Sequence, residues 1–211
     1  MRIAWLDYAR AFAAFAVLFY HYLTTSPGTD FRRIEDVAQY GYLGVPLFFM
    51  ISGFVIASSA EGKSAHAFVS GRALRLYPTF LLCMTVAALV SLLATDPALQ
   101  VDLKQYVANL TMYPKLMGEP FVSGVYWTLV LEIEFYAAIA VLVALGVGRH
   151  TAIWHPVWVT GLLAGALLNL HHQFPIIGGY FAFFAAGAIF FDIRRHGLNA
   201  MKVLMLSLIH I

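Results

Sequence analysis

Charge is what this sequence has least of. Asp, Glu, Lys and Arg together make up 11% of its 211 residues, under half the ~25% usual for soluble domains. So little polar surface excludes a soluble fold of this length. The formal net charge of +2 is too small to point to nucleic acid as a partner. Cysteine is scarcer still. Cys83 lies inside an apolar run and stands alone, which excludes an intrachain disulfide and any cysteine cluster for a metal. The histidines do not make up the loss, because none shows metal-ligand spacing with a second strong ligand set. No bound metal is expected.

What is present is apolar: 61% of the residues are hydrophobic, in runs that recur along the whole chain. The runs cover 8–24, 40–60, 76–94, 125–147, 152–170 and 176–192, and a seventh begins near Met201. Each of the six has close to the ~20 residues that a helix needs to cross hydrocarbon. Helices are the expected solution, since a bilayer offers the backbone no water and the runs lack the alternation of a barrel strand. The expected fold is all-α, a polytopic transmembrane helical bundle of six spans plus the start of a seventh. Span one carries Arg10 inside a run longer than the apolar core of a signal peptide, so it reads as an uncleaved helix.

Orientation follows from basic residues in the loops. Arg2, Lys63, Arg72, Arg75, Arg149, Arg194, Arg195 and Lys202 fall on one side, and Arg32, Arg33, Lys104 and Lys115 on the other. Eight against four places the N-terminus in the cytoplasm.

Span one poses the sharpest question, because "LDYARAFAAFAVLFYHY" (6–22) holds Arg10 near one end and His21 near the other. Eleven residues separate them, which at about 100° per residue brings both to one helix face, about 16 Å apart along the axis. Asp7 precedes Arg10 by three and can pair with it on that face. Snorkelling of Arg10 and an interfacial place for His21 between Tyr20 and Tyr22 would be the ordinary explanation. Ionisable residues within spans more often face the bundle interior and mark a site.

The residues around them resemble the acyltransferase 3 family of integral membrane O-acyltransferases. Leu6, Asp7, Arg10 and His21 match its first-helix signature in both type and spacing. "GVPLFFMISGFVI" (44–56) is similar to its second-helix motif through Gly44, Phe48, Phe49, Ser52, Gly53 and Phe54. "RALRLYP" (72–78) resembles its Arg-x-x-Arg-hydrophobic-x-Pro motif, and "WTLVLEIEFY" (127–136) its Trp-Ser/Thr-Leu-x-x-Glu-x-x-Phe-Tyr motif, with Trp127 at its head and Glu132 at the acidic position. The four motifs occur in family order over residues 6 to 192. Many members have a second Glu directly after the first, where this chain has Ile133 and then Glu134. About 200° of helix separates Glu134 from Glu132, so the family role passes to Glu132 alone.

The resemblance implies an acyltransferase that transfers groups other than aminoacyl groups, taking an acyl group, acetyl above all, from coenzyme A to a hydroxyl of a cell-envelope carbohydrate. It implies no permanently bound cofactor, with acyl-coenzyme A as a co-substrate. Its site residues would be His21 as general base, since an unperturbed imidazole titrates near neutrality, and Glu132 to pair with a polar residue or orient the acceptor. Arg72 and Arg75, spaced i and i+3 where a basic cytoplasmic loop meets span three, suit the diphosphate of the donor, with Arg10 lining the mouth of the path. Asp7, Ser52 and Trp127 would orient these. Transfer would be direct or through a transient acyl-enzyme. The implied setting is the bacterial inner membrane, with the lipid bilayer, acyl-coenzyme A and a carbohydrate acceptor as partners.

A transporter or permease with an intramembrane Arg/His/Glu pathway is the competing class, but no inverted repeat is visible and the cytoplasmic arginine pair has no place in it. A non-catalytic membrane module is the third. Other features keep ordinary readings. His150 and His155 flank span five, His171 and His172 fall in a short outer loop, and His66 and His196 in basic cytoplasmic loops. Gly178, Gly179 and Gly187 permit close helix packing. Residues 95–124, with the Asn109–Thr111 glycosylation pattern, read as an outer loop or partly re-entrant segment. The resemblance also implies that residues 1–205 are the N-terminal part of one membrane-embedded domain of about ten spans. The final "LSLIHI" (206–211) resembles a translated sequencing-library adaptor.

Overall fold

The computed structural model describes residues 4–24, 36–96, 99–148, 150–169 and 178–210. Arg2, Arg32, Arg33 and Arg149 of the orientation count lie outside the described residues, as do His171 and His172. Among the described residues there are eight α-helices and no strand. They are α1 (Ala4–Thr24), α2 (Gly44–Ala60), α3 (Ala65–Ser91), α4 (Leu103–Asn109), α5 (Trp127–Ala144), α6 (Thr151–Leu167), α7 (Phe181–His196) and α8 (Ala200–His210). The architecture is all-α, as the apolar runs require.

Three of the described helical segments are long and apolar enough to cross a membrane: Asp36–Ala60, Ala65–Ser91 and Gly124–Ala144. The other three expected spans are helical but fall short by different routes. Asp7, Arg10 and His21 lower the hydropathy of the 21-residue α1, while α6 and α7 have 17 and 16 residues.

The chain divides into two compact units, Met1–Glu61 with Val147–Ile211, and Gly62–Gly146. In the first unit small residues let helices approach. A Cβ on Gly53 of α2 would lie 2.1 Å from the Phe184 carbonyl oxygen of α7, and one on Gly187 of α7 would lie 2.0 Å from the Met50 oxygen of α2. The two helices therefore cross backbone to backbone, and Phe49 fills the crossing against Phe184 with ring centroids 4.7 Å apart. Gly41 and Gly44 do the same for α1, where added Cβ atoms would meet the carbonyl oxygens of Ala16 and Ala13 at 2.1 and 2.5 Å. Leu6, Ile51 and Phe54 close the core between α1 and α2. The opposite face of α1 carries Trp5, Tyr8, Phe12, Phe15, Phe19 and Tyr22, all exposed. Their three-and-four spacing makes one aromatic stripe suited to lipid.

The second unit corrects the boundary of span three. Pro78 lies inside α3, which starts at Ala65 rather than near 76. A proline usually ends a helix, but here the segment before it is long, and Ser64 caps it by accepting from Ala67 N at 3.3 Å. Arg72 and Arg75 thus sit within a helix, not where a loop meets one. Within the expected outer loop or partly re-entrant segment, residues 99–124 include the short helix α4. Asp102 caps α4 by accepting from Gln105 N at 2.7 Å, and Phe80, Met84 and Met112 form a core there with Tyr106, Leu110 and Ile133 around it.

Candidate functional site

The expected site residues divide between the two units: Asp7, Arg10, His21 and Ser52 belong to the first, and Arg72, Arg75, Trp127 and Glu132 to the second. In the first unit α1 holds Arg10 and His21 on one ridge with Ala14 and Val17 between them. That ridge flanks the face that buries Leu6 and Ala13. Arg10 is half-buried and the imidazole of His21 is exposed, edge-on to Tyr20 at 5.3 Å between ring centroids. Ser52 is buried beside Gly53. The second-helix motif is accounted for by packing, since Gly44, Phe49, Gly53 and Phe54 all serve helix contacts. Arg194 also rests over the Phe54 ring, 6.0 Å from its centroid.

In the second unit the arginine pair is not a matched pair. Arg72 is buried, with its guanidinium carbon 5.9 Å from the Phe68 centroid and 5.7 Å from that of Tyr136. Arg75, one turn on, is exposed. The i, i+3 spacing shows neither fact, because Tyr136 comes from α5. Tyr136 in turn donates its hydroxyl to Glu132 Oε1 at 2.5 Å. Cation and carboxylate therefore meet on one phenol, which balances charge within an apolar helix pair. Trp127 is the first residue of α5 and half-buried. Nothing in the sequence singles out Tyr136 except its i+4 register to Glu132, which lets a phenol reach a carboxylate.

Three groups were missed in the sequence. Glu134 accepts the Tyr113 hydroxyl at 2.8 Å on Oε1, while its Oε2 is buried with no hydrogen-bond partner. The same bond to Glu134, helped by burial, holds the Tyr113 phenol proton above the ordinary tyrosine range. The third group is the set of side chains around Asp192, near the C-terminal end of α7 and 4% exposed. Its Oδ1 accepts from Thr151 Oγ1 and from His196 Nδ1, each at 2.8 Å, and its Oδ2 meets Lys202 Nζ at 2.7 Å. Lys202 Nζ also donates to the carbonyl oxygens of Asp192 and Gly197, at 3.2 and 2.9 Å. Lys202 is thus not a loop cation but a buried one, and His196 belongs to the last turn of α7. His155, read as flanking span five, lies inside α6 with 2% exposure. A clue was available in the acid near the end of an apolar run with histidine four residues on.

Among the described residues no group of three His, Cys, Asp or Glu side chains could hold a metal ion. The first unit offers an exposed imidazole on α1; the second offers an exposed guanidinium and two carboxylates in different states of hydrogen bonding.

The family model for an acyltransferase domain matches residues 3–209. Nodulation protein 10 of Rhizobium leguminosarum bv. viciae is 30% identical over 159 residues, covering 64% of this chain and 43% of that protein. Exopolysaccharide production protein ExoZ of Rhizobium meliloti (strain 1021) is 33% identical over 108 residues, covering 47% of this chain and 33% of that protein. The chain spans less than half the length of these curated relatives. No solved structure matches it.

Proposed function

The chain belongs to the acyltransferase 3 family of membrane proteins, and we propose that it moves an acyl group, acetyl, from coenzyme A to a hydroxyl of a cell-envelope carbohydrate. The family match is the observation that carries the reaction class. The exopolysaccharide role in the name of one relative is the reason for taking a carbohydrate as acceptor.

In this reading the N-terminus is cytoplasmic, the membrane is the bacterial inner membrane, and the donor arrives from the cytoplasm. Arg75, exposed on α3, meets the diphosphate of coenzyme A with a bidentate guanidinium. Arg72, buried against two aromatic rings, fixes the turn of α3 that presents Arg75. Arg10, with Asp7 to steady it, lines the path, and the roughly 16 Å rise from Arg10 to His21 suits an extended pantetheine arm. The imidazole of His21 takes the proton of the acceptor hydroxyl as its oxygen attacks the thioester carbonyl. The C–O bond forms, the C–S bond breaks, and coenzyme A leaves as the thiol carrying the proton. Glu132, held by Tyr136, keeps the Arg72 cation compensated. Ser52 and Trp127 take orienting parts. No cofactor is retained between turnovers.

Membranes carrying the protein, given labelled acetyl-coenzyme A, are expected to transfer label to glycan. A permease with an intramembrane Arg/His/Glu path would leave the glycan unlabelled, and that result would overturn the reading.

A further inference from the structure

Among the described residues three buried side-chain polar atoms have no hydrogen-bond partner: Oε2 of Glu134 and both ring nitrogens of His155. His155 is sealed at 2% exposure, so nothing from outside reaches it without unpacking α6. Glu134 differs, because its hydrogen-bond partner Tyr113 is only half-buried.

We propose that Glu134 and Tyr113 form the binding site for a hydroxyl of the carbohydrate acceptor, whose O–H donates to Glu134 Oε2. The proposal rests on the acyl-transfer reading above. A carboxylate oxygen accepts hydrogen bonds and cannot donate them. What completes Oε2 is therefore a donor, and a sugar hydroxyl is the donor that this reaction brings.

The segment presenting Tyr113 is built for position. Asn109, 1% exposed, donates to the carbonyl oxygens of Gln105 and Pro120 at 2.8 and 2.9 Å and accepts from Val122 N at 3.1 Å. It thereby ties residues 109–122 into a closed loop. Tyr106 adds a bond of 2.9 Å to Thr85 of α3, and Tyr77 donates to the Leu110 oxygen at 3.0 Å. Met112, just before Tyr113, has φ +60°, a left-handed conformation that a non-glycine residue rarely adopts. Strain of that kind persists where surroundings over-determine it, and ligand clamps are one such place. Anchoring this loop would explain the bond from Tyr113 to Oε1. It leaves Oε2 unexplained. Glu132, by contrast, is engaged by Tyr136 beside the Arg72 cation.

The test uses membranes of cells carrying the full reading frame, labelled acetyl-coenzyme A, and the cell-envelope glycan fraction of the same cells as the acceptor probe. Glu134→Gln keeps an acceptor for Tyr113. It is expected to lower glycan labelling about tenfold at unchanged KM for acetyl-coenzyme A, and to recover when the glycan fraction is added in excess. Labelling equal to wild type at limiting glycan would overturn the proposal. So would a loss that added glycan does not rescue, since that marks a structural anchor. Should Glu134→Gln fail to accumulate, Tyr113→Phe gives the same decision: a smaller fall rescued by glycan supports the site, and wild-type behaviour overturns it. Wild-type membranes that label no glycan would instead sink the acyl-transfer reading, and this assignment with it.

Discussion

Asp192 and Glu134 are both acids drawn inside apolar helices, and their surroundings could hardly differ more. Asp192 in the first unit is met by Thr151, His196 and Lys202, and Lys202 goes on to tie off the end of α7. Its charge joins three helices, and both of its oxygens are engaged. Glu134 in the second unit has one partner and a buried oxygen with none. A saturated acid holds a fold together, whereas an unsaturated one keeps a hydrogen-bonding position open. Burial alone does not separate the two cases; the completeness of the hydrogen bonding does.

The contrast breaks first, if it breaks, at Lys202. Lys202→Met strands the buried Asp192 carboxylate, and a loss of about 3–5 kcal/mol is expected. Joint replacement by Asp192→Leu and Lys202→Met is expected to restore most of that, because both desolvated charges go together. Denaturant unfolding in detergent checks both, and a single-variant cost below about 1 kcal/mol would mean the pair is no pin. A second contrast sets glycines of the two units against each other. Gly53→Ala puts a Cβ 2.1 Å from a backbone oxygen that cannot step aside, so about 1–3 kcal/mol should be lost. Gly71 of α3 has nothing within 4 Å of its added Cβ, and Gly71→Ala should gain about 0.4–1 kcal/mol. The opposite order in thermal melts would contradict the packing assigned to α2 and α7. The smallest effect belongs to Lys104, whose pKa is raised by its hydrogen bond to Glu119 and then by that carboxylate's charge. The bond helps only while Lys104 is protonated, so its contribution is present at neutral pH and fades above the ordinary lysine range. Because the lysine is largely exposed, Lys104→Ala should leave the melting temperature unmoved.

Much of this architecture is legible in the chain. Helix type follows from the absence of charge, though only three of the described helices are long and apolar enough to cross a membrane. Gly187 reads correctly as a packing residue, whereas an added Cβ on Gly179 meets nothing within 4 Å. The α3 start is misread because the apolar run begins only near 76, after His66, Arg72 and Arg75, while the Ser64 cap that starts the helix at Ala65 is a single local bond. Arg72 and Arg75 look alike because spacing describes one helix, and the burial of Arg72 depends on Tyr136 from another. Glu134 is passed over for the same reason. Its angle to Glu132 on α5 is right, but Tyr113 arrives from a segment 21 residues away. Residues 105–122 are tied together through Asn109, whose three bonds reach across the loop and leave no periodic trace.

The central claim is that α1 carries the base that activates the acceptor. Its most direct test compares wild type with His21→Ala in membranes given labelled acetyl-coenzyme A, scored by label in the glycan. A fall of about two to four orders of magnitude is expected from the loss of a general base, with the protein still present in the membrane at wild-type amount. Equal labelling by the two would contradict the claim and return His21 to an ordinary place at the membrane interface.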